Sequence, residues 1–229
     1  MFLNALYAAL LMAAAVFFAW LTTRAWFAGH VVVKWAGSFL SGLLSLVLAF
    51  VGAVAVVGLS RAYLPRPVAM QELTVAGTPE QVARGEHLAG VFCASCHSLT
   101  NELPLTGGLD IGKDIPLPVG SFVTANLTPG GPLKSWTDAQ IFNAIRNGID
   151  NEGRPLFVMS NARGRNLSDA DIHAVIAFLR SQPAVDHDTQ QPLDQPSFLG
   201  IRMFGAGMLP AGDPPTTTTI VAPAKGPTT

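Results

Sequence analysis

Charge is what this sequence has least of. Only 13% of its 229 residues are Asp, Glu, Lys or Arg, where a soluble domain carries about 25%. The shortage is concentrated at one end. No acidic residue precedes Glu72, and the only basic residues before it are Arg24, Lys34, Arg61 and Arg66. Two different materials are therefore joined near residue 60. Cysteine is scarce as well: Cys93 and Cys96 are the only two, which excludes a zinc site built on two Cys pairs. Net charge is −1, and from Arg61 onward 12 Lys and Arg face 15 Asp and Glu. No basic face points to a nucleic-acid partner.

What fills the uncharged end is hydrocarbon. Residues 2–21 (FLNALYAALLMAAAVFFAWL) and 35–60 (WAGSFLSGLLSLVLAFVGAVAVVGLS) contain no charge at all. Each reaches the roughly 20 apolar residues needed to cross a bilayer core. The second is too long and too apolar for a buried soluble helix. The first lacks the basic n-region of a cleavable signal, since its first basic residue, Arg24, lies on the wrong side. Residues 1–60 are thus expected to form a transmembrane hairpin in contact with membrane lipid. Trp20, Trp26 and Trp35 cluster about its loop as an interfacial belt would. The pairs Ser38/Gly42, Ser41/Ser45 and Ala49/Ala53 permit close helix approach in lipid, either within the hairpin or against a partner subunit. His30 is the only histidine here, one short of the two that a bis-histidine b-type heme needs.

Residues 61–77, with two prolines and no clear period, read as a tether. A soluble domain follows over 78–185. Thr78-Pro79-Glu80-Gln81 is a capping box with proline at the first helical position, which predicts a helix from Pro79 to about Phe92. Thr137-Asp138-Ala139-Gln140 repeats the box, with Trp136 and Ile141 at staple spacing, and Gly148 supplies a C-cap. Ser168 opens a third helix whose Ile172, Val175, Ile176 and Leu179 share one face; Pro183 ends it. No stretch alternates strongly over a strand's length. The fold class expected is all-α. Residues 98–135 hold many Gly and Pro and no convincing helix, an unusual length of loop for a compact domain unless a cofactor completes its core.

The first predicted helix runs into C-A-S-C-H, Cys93 to His97. A redox disulfide would need a thioredoxin-like βαβ setting, and zinc would need further ligands that His30, His87, His173 and His187 do not supply by spacing. Covalent attachment of heme c needs two thiols two residues apart and an adjacent histidine, and has all three. Each thiol adds to a vinyl group, and His97 comes to lie under the iron. Heme c is attached outside the bacterial cytoplasm, so the domain after the second apolar stretch is expected to face the periplasm. The Arg24–Lys34 loop then lies in the cytoplasm, as the positive-inside tendency requires.

Residues 78–183 resemble a class I c-type cytochrome domain, and in finer pattern the cytochrome c domains of cytochrome subunits of membrane-bound dehydrogenase or quinol-oxidising complexes. The pieces that carry the resemblance are CASCH, N-L-T-P at 126–129, WTDAQIFNAIRNG, GRPLFVM and LSDADIHAVIAFLRSQP. It implies a sixth iron ligand from the loop before the last helix. Met159 stands there, with Ser160 where relatives usually have proline; the competing reading is a methionine that only packs its loop. The resemblance also implies that a proline carbonyl, of Pro116 or Pro118, holds the His97 ring. Asn126 is placed either at a heme propionate or in a turn, and Gly85 where the first helix crosses the last near Phe178. His87 and His173 read as helix-surface residues.

Residues 186–229 are rich in Pro, Thr and Gln and are expected to be an irregular, extended tail. Its one apolar piece, SFLGIRMFGAGML, is too short to span a membrane and is expected to lie on the domain or on a neighbour. TTTTIVAPAKGPTT resembles a connector to a further heme domain, so the protein is either mono-heme or part of a longer chain. The expectation is a membrane-anchored mono-heme cytochrome of the bacterial inner membrane. It has no catalytic residue of its own and carries single electrons at the periplasmic face between a redox partner and a respiratory or photosynthetic complex. Cys93 and Cys96 attach the heme, and His97 and Met159 ligate its iron. The alternatives are a heme enzyme or sensor with an open sixth position, and a structural subunit whose heme lies off the electron path.

Overall fold

The computed structural model describes residues 1–66, 68, 69, 72–189, 194–209, 212 and 214–222, with the backbone alone for Asn161 and Arg163. Met70 and the last residues of the tail, 223–229, lie outside these. The chain divides into two units: Met1–Tyr63 with Ser197–Leu209, and Leu64–Pro196 with Pro210–Thr229.

The first unit is built on two antiparallel apolar helices, α1 (Phe2–Trp26) and α2 (Ser38–Tyr63), with a π-helical turn at Val33–Gly37 leading into α2. By length and composition both can cross a membrane. They run beyond the uncharged stretches because Thr22 and Thr23 do not break α1; their hydroxyls donate back to the Phe18 and Trp20 carbonyls at 2.9 and 2.7 Å. At the connection, Trp26 and Trp35 meet edge to face and Lys34 lies over the Trp26 ring. Small residues line the seam. Ser45 Oγ donates to the Ala15 carbonyl at 2.8 Å, Ser41 and Thr22 share a hydrogen bond at 2.9 Å, and Gly42 faces Thr22. The Ser38/Gly42 and Ser41/Ser45 pairs therefore serve the hairpin's own contact, while Ala53 is exposed. Leu10, Phe17, Leu40, Leu46 and Phe50 point outward.

The tail is not irregular throughout. Phe198–Gly205 forms helix α7, capped by Ser197, whose hydroxyl accepts from Gly200 N. It lies on α2 in this first unit. The contact uses two glycines reciprocally: a Cβ on Gly58 would fall 1.9 Å from the Ile201 carbonyl oxygen, and one on Gly205 would fall 1.9 Å from that of Val54. Arg61 then donates to the Phe204 carbonyl at 2.7 Å. The sequence pattern missed this helix because eight residues are too few to display a period among interrupting glycines.

The second unit holds the predicted helices. They are α3 (Pro79–Phe92), α4 (the single turn Ala94–His97), α5 (Asp138–Asn147) and α6 (Asp169–Ser181). Both capping boxes form, Thr78 with Gln81 and Thr137 with Gln140, and Gly148 ends α5 with φ +61°. Ile172, Val175, Ile176 and Leu179 are all buried, in one core with Ala89, Leu105, Leu133 and Ile141. Antiparallel α5 and α6 are stapled at both ends. Arg146 of α5 pairs with Asp169 at the start of α6, and Arg180 of α6 pairs with Asp138 at the start of α5. The stretch read as a tether is partly bound here: Leu73 and Val75 pack on the core, and Val75 N donates to Asp138. The described residues are mostly helical, as the all-α expectation has it, with two three-residue strands added. β1 (Gly120–Phe122) pairs antiparallel with β2 (Asp194–Pro196), Gly120 opposite Pro196. Three residues are too short for an alternation to show.

Helix α3 crosses α6 at Gly85, where a Cβ would lie 1.9 Å from the Ala174 carbonyl oxygen and 2.8 Å from Phe178 Cβ. The obstacle is mostly backbone, so the helices must part. Gly85→Ala is expected to lower stability by about 3 kcal/mol, the upper part of the usual cost of overpacking. Denaturant unfolding followed by circular dichroism checks this; an unchanged midpoint would mean that the helices are not this close.

Candidate functional site

Helix α3 ends by delivering Cys93, whose N–H still bonds to the Ala89 carbonyl. The chain then makes one tight turn. Cys96 N and His97 N both donate to the Cys93 carbonyl, at 3.2 and 2.8 Å. Both sulfurs and the imidazole therefore leave from a single helical turn. The two half-buried cysteines are not bonded to each other. Burial first, and then the neighbouring Cys96, push the Cys93 thiol up to about 12. It is a protonated thiol at neutral pH, unlike a thiolate nucleophile or zinc ligand. Among the described residues no three His, Cys, Asp or Glu side chains converge to hold a metal ion.

His97 is 7% exposed. Its Nδ1 lies 2.9 Å from the Ala125 carbonyl oxygen. A carbonyl can only accept, so Nδ1 carries the proton and Nε2 the lone pair. Burial holds the imidazole below its ordinary value, against a smaller opposite effect of the Ala125 bond, so the ring is neutral at pH 7. A neutral, oriented imidazole with one nitrogen tied to a carbonyl is the form a metal-ligating histidine takes.

The carbonyl is Ala125's, not that of Pro116 or Pro118, both of which are exposed. The signal that could have found it is the doublet Gly107-Gly108. Gly107 has φ +67°, and a Cβ there would lie 2.4 Å from the Ala125 carbonyl. Its N–H bonds to the His97 carbonyl at 2.8 Å. Only glycine lets the Ala125 peptide come this close to the CASCH turn. Asn126 proves to be a turn residue. Its Oδ1 accepts from Thr128 N and Oγ1, and its Nδ2 donates to the Val185 and His187 carbonyls. His87 is exposed on α3, and His173 packs against the Phe142 ring.

Met159 opens a 3-10 turn, Met159–Asn161, set against α5. The loop is pinned to the end of that helix: Leu156 N donates to the Gly148 carbonyl at 2.7 Å, and a Cβ on Gly148 would fall 2.3 Å from Ser160 Cα. Ser160 explains its own departure from Met-Pro. Its N–H bonds to the Leu156 carbonyl at 2.8 Å and its hydroxyl to that of Phe157 at 2.9 Å. Proline could make neither bond. Beyond the turn, Arg146, 1% exposed, donates to the Arg165 and Leu167 carbonyls and to Asp169. Sequence reasoning did not single out this buried arginine; nothing in its helical spacing separates it from a surface cation.

Asp194 of β2 accepts a hydrogen bond from the backbone N–H of Phe157, two residues before Met159. Burial, with a lesser contribution from Asp150, pushes its carboxyl from the ordinary 3.8 up to about 6, against the Phe157 bond and Arg154. Between these two values the unfolded chain has lost a proton that the folded chain still holds, so stability falls as pH rises through this window. Asp194→Asn keeps an acceptor for Phe157 without the charge. It is expected to match wild type near pH 4 and to exceed it at pH 7 by about 1–2 kcal/mol. Parallel unfolding curves at the two pH values check this; a variant less stable at pH 7 would contradict it.

Known proteins share this arrangement of sequence. Residues 80–179 match the family described as cytochrome C oxidase, cbb3-type, subunit III. Three curated relatives also align. A subunit of the nicotinate dehydrogenase of Pseudomonas putida is 32% identical over 119 residues, 50% of this chain and 10% of the relative. The fructose dehydrogenase cytochrome subunit of Gluconobacter japonicus is 33% identical over 110 residues, 44% of this chain and 22% of the relative. The gluconate 2-dehydrogenase cytochrome c subunit of Pantoea cypripedii is 32% identical over 124 residues, 49% of this chain and 27% of the relative. The chain thus spans about a quarter or less of the curated relatives it matches. The matched stretch runs from the start of α3 almost to the end of α6, and with the CASCH turn inside it, it is a c-type cytochrome domain.

Proposed function

We propose that this chain is a membrane-anchored c-type cytochrome that passes single electrons as a subunit of a larger oxidoreductase complex, with one covalent heme. Cys93 and Cys96 would bind the ring as thioethers, and His97 and Met159 would ligate the iron. When bound, the heme supplies a one-electron Fe(III)/Fe(II) couple. The observation that carries the reading is the His97–Ala125 hydrogen bond, which leaves Nε2 of a buried neutral ring as a lone-pair donor beside two sulfurs on the same turn.

The chain's own work is positional. The Ala125 carbonyl fixes the imidazole plane and raises its basicity as a ligand. A thioether from Met159 raises the reduction potential relative to a second histidine and closes the sixth position to small ligands. No acid, base or nucleophile is required, which fits an electron carrier beside a catalytic subunit. The outward apolar side chains of α1 and α2 support a lipid anchor. Attachment of heme c outside the cytoplasm, with Arg24 and Lys34 in the connection, supports a domain on the periplasmic side of a bacterial inner membrane. The names of the fructose and gluconate dehydrogenase cytochrome subunits support a dehydrogenase-type complex as the partner.

The test is an absorption spectrum of the purified protein, oxidised and reduced, repeated after denaturation. A c-type reduced spectrum and pigment retained on the denatured chain are expected, with the pigment lost on Cys93→Ser/Cys96→Ser. Met159→Ala is expected to remove the weak red band of methionine-ligated ferric heme and to lower the potential. Retained pigment with no change on Met159→Ala would remove Met159 from the iron and leave the attachment site standing.

A further inference from the structure

The described end of the tail, residues 214–222, is bolted to the cytochrome domain through its backbone. Asn147, the last residue of α5, holds both backbone groups of one residue: its Oδ1 accepts from Thr216 N at 2.8 Å, and its Nδ2 donates to the Thr216 carbonyl at 3.1 Å. Asp169, the first residue of α6, does the same to Ile220. Asp169 N donates to the Ile220 carbonyl at 2.9 Å, and its Oδ1 accepts from Ile220 N at 3.0 Å. Arg165 donates to the Pro214 carbonyl at 2.8 Å. The same Asp169 also holds Arg146, so strap and helix staple share a carboxylate.

Where the strap begins, it meets the methionine loop. Gly212 has φ +74°, and a Cβ there would lie 2.5 Å from Ser160 Cβ and 2.6 Å from its hydroxyl. Gly148 presses the same residue from the helix side, its Cβ position 2.3 Å from Ser160 Cα. Ser160, the residue after Met159, is therefore buried between two glycines of positive φ, one on α5 and one on the strap. With a side chain at either position, this sandwich could not close.

We infer that the C-terminal strap is the outer jaw of a clamp that holds Met159 on the heme iron, and so helps to set the potential and keep the sixth position closed. The inference rests on Met159 as sixth ligand. A ligand loop gripped on one side only opens locally more often, and a small external ligand reads out that opening.

The grips on Thr216 and Ile220 use backbone N–H groups, so proline removes them and alanine does not. The full-length, heme-loaded protein is compared with Thr216→Pro/Ile220→Pro, with each single proline variant, and with Thr216→Ala/Ile220→Ala. The ferric red band, the potential and the rate of cyanide binding are measured. The proline variants are expected to bind cyanide about tenfold faster, with a weakened red band and a lowered potential, while the alanine variant matches wild type. If wild type shows the band and the proline variants match it in all three readouts, the strap is only a cover and the clamp is wrong, with Met159 still the ligand. If alanine acts like proline, the backbone grip is wrong. If wild type has no red band, the Met159 reading fails and the clamp with it. The single variants keep the answer readable should the double variant not fold.

Discussion

The hydrogen bond from His97 Nδ1 to the Ala125 carbonyl is the constraint around which the cytochrome domain is arranged. It requires a carbonyl far along the chain to be brought to the one turn that carries both cysteines. The stretch between does this by folding back on itself. Gly107 N bonds to the His97 carbonyl, Gly108 N to Thr124, Thr124 N to Leu109, and Leu127 N to Leu105. Asp110 fastens the far end, accepting from Gly112 N, Phe122 N and Ser121 Oγ. These bonds hold the carboxyl below its usual range despite the opposing effect of burial. A loop of this length is unusual in a compact domain. Here its backbone groups are paired across it, and Leu105 and Leu133 reach into the core.

The methionine loop is held by different means. Helices α5 and α6 are antiparallel and ionically stapled at both ends, and the methionine loop hangs from the C-cap of α5. Gly148 therefore does two things at once. Its left-handed conformation ends the helix, as a C-cap glycine usually does, and its missing side chain admits Ser160. Arg146 is a buried cation that contributes order more than net stability, since its desolvation offsets much of its pairing. What it secures is the path of the chain from the loop into α6, through the Arg165 and Leu167 carbonyls.

In the apolar unit the same device recurs with different chemistry. Between these apolar helices, close approach at small residues and a few hydroxyl-to-carbonyl bonds set how the helices meet. Ser45 to the Ala15 carbonyl and Ser38 to the Thr22 carbonyl are such bonds, and Gly52, Gly58 and Gly205 are such approaches.

The sequence by itself determined what depends on near neighbours. The caps of α3, α5 and α6, the buried face of α6, the apolar stretches and the CASCH turn are all written in spacings of three or four residues, because a helix brings such residues together whatever else the chain does. Gly85 was also legible, as a small residue where two predicted helices had to cross. Only the tertiary structure decided which carbonyl holds His97, that Ser160 is pressed between Gly148 and Gly212, that Phe198–Gly205 is a helix on α2, and that β1 pairs with β2. Each joins residues far apart in the chain through backbone atoms that every residue carries. A backbone carbonyl has no letter of its own, so Ala125 and Pro118 look equally able to supply one until the loop is folded.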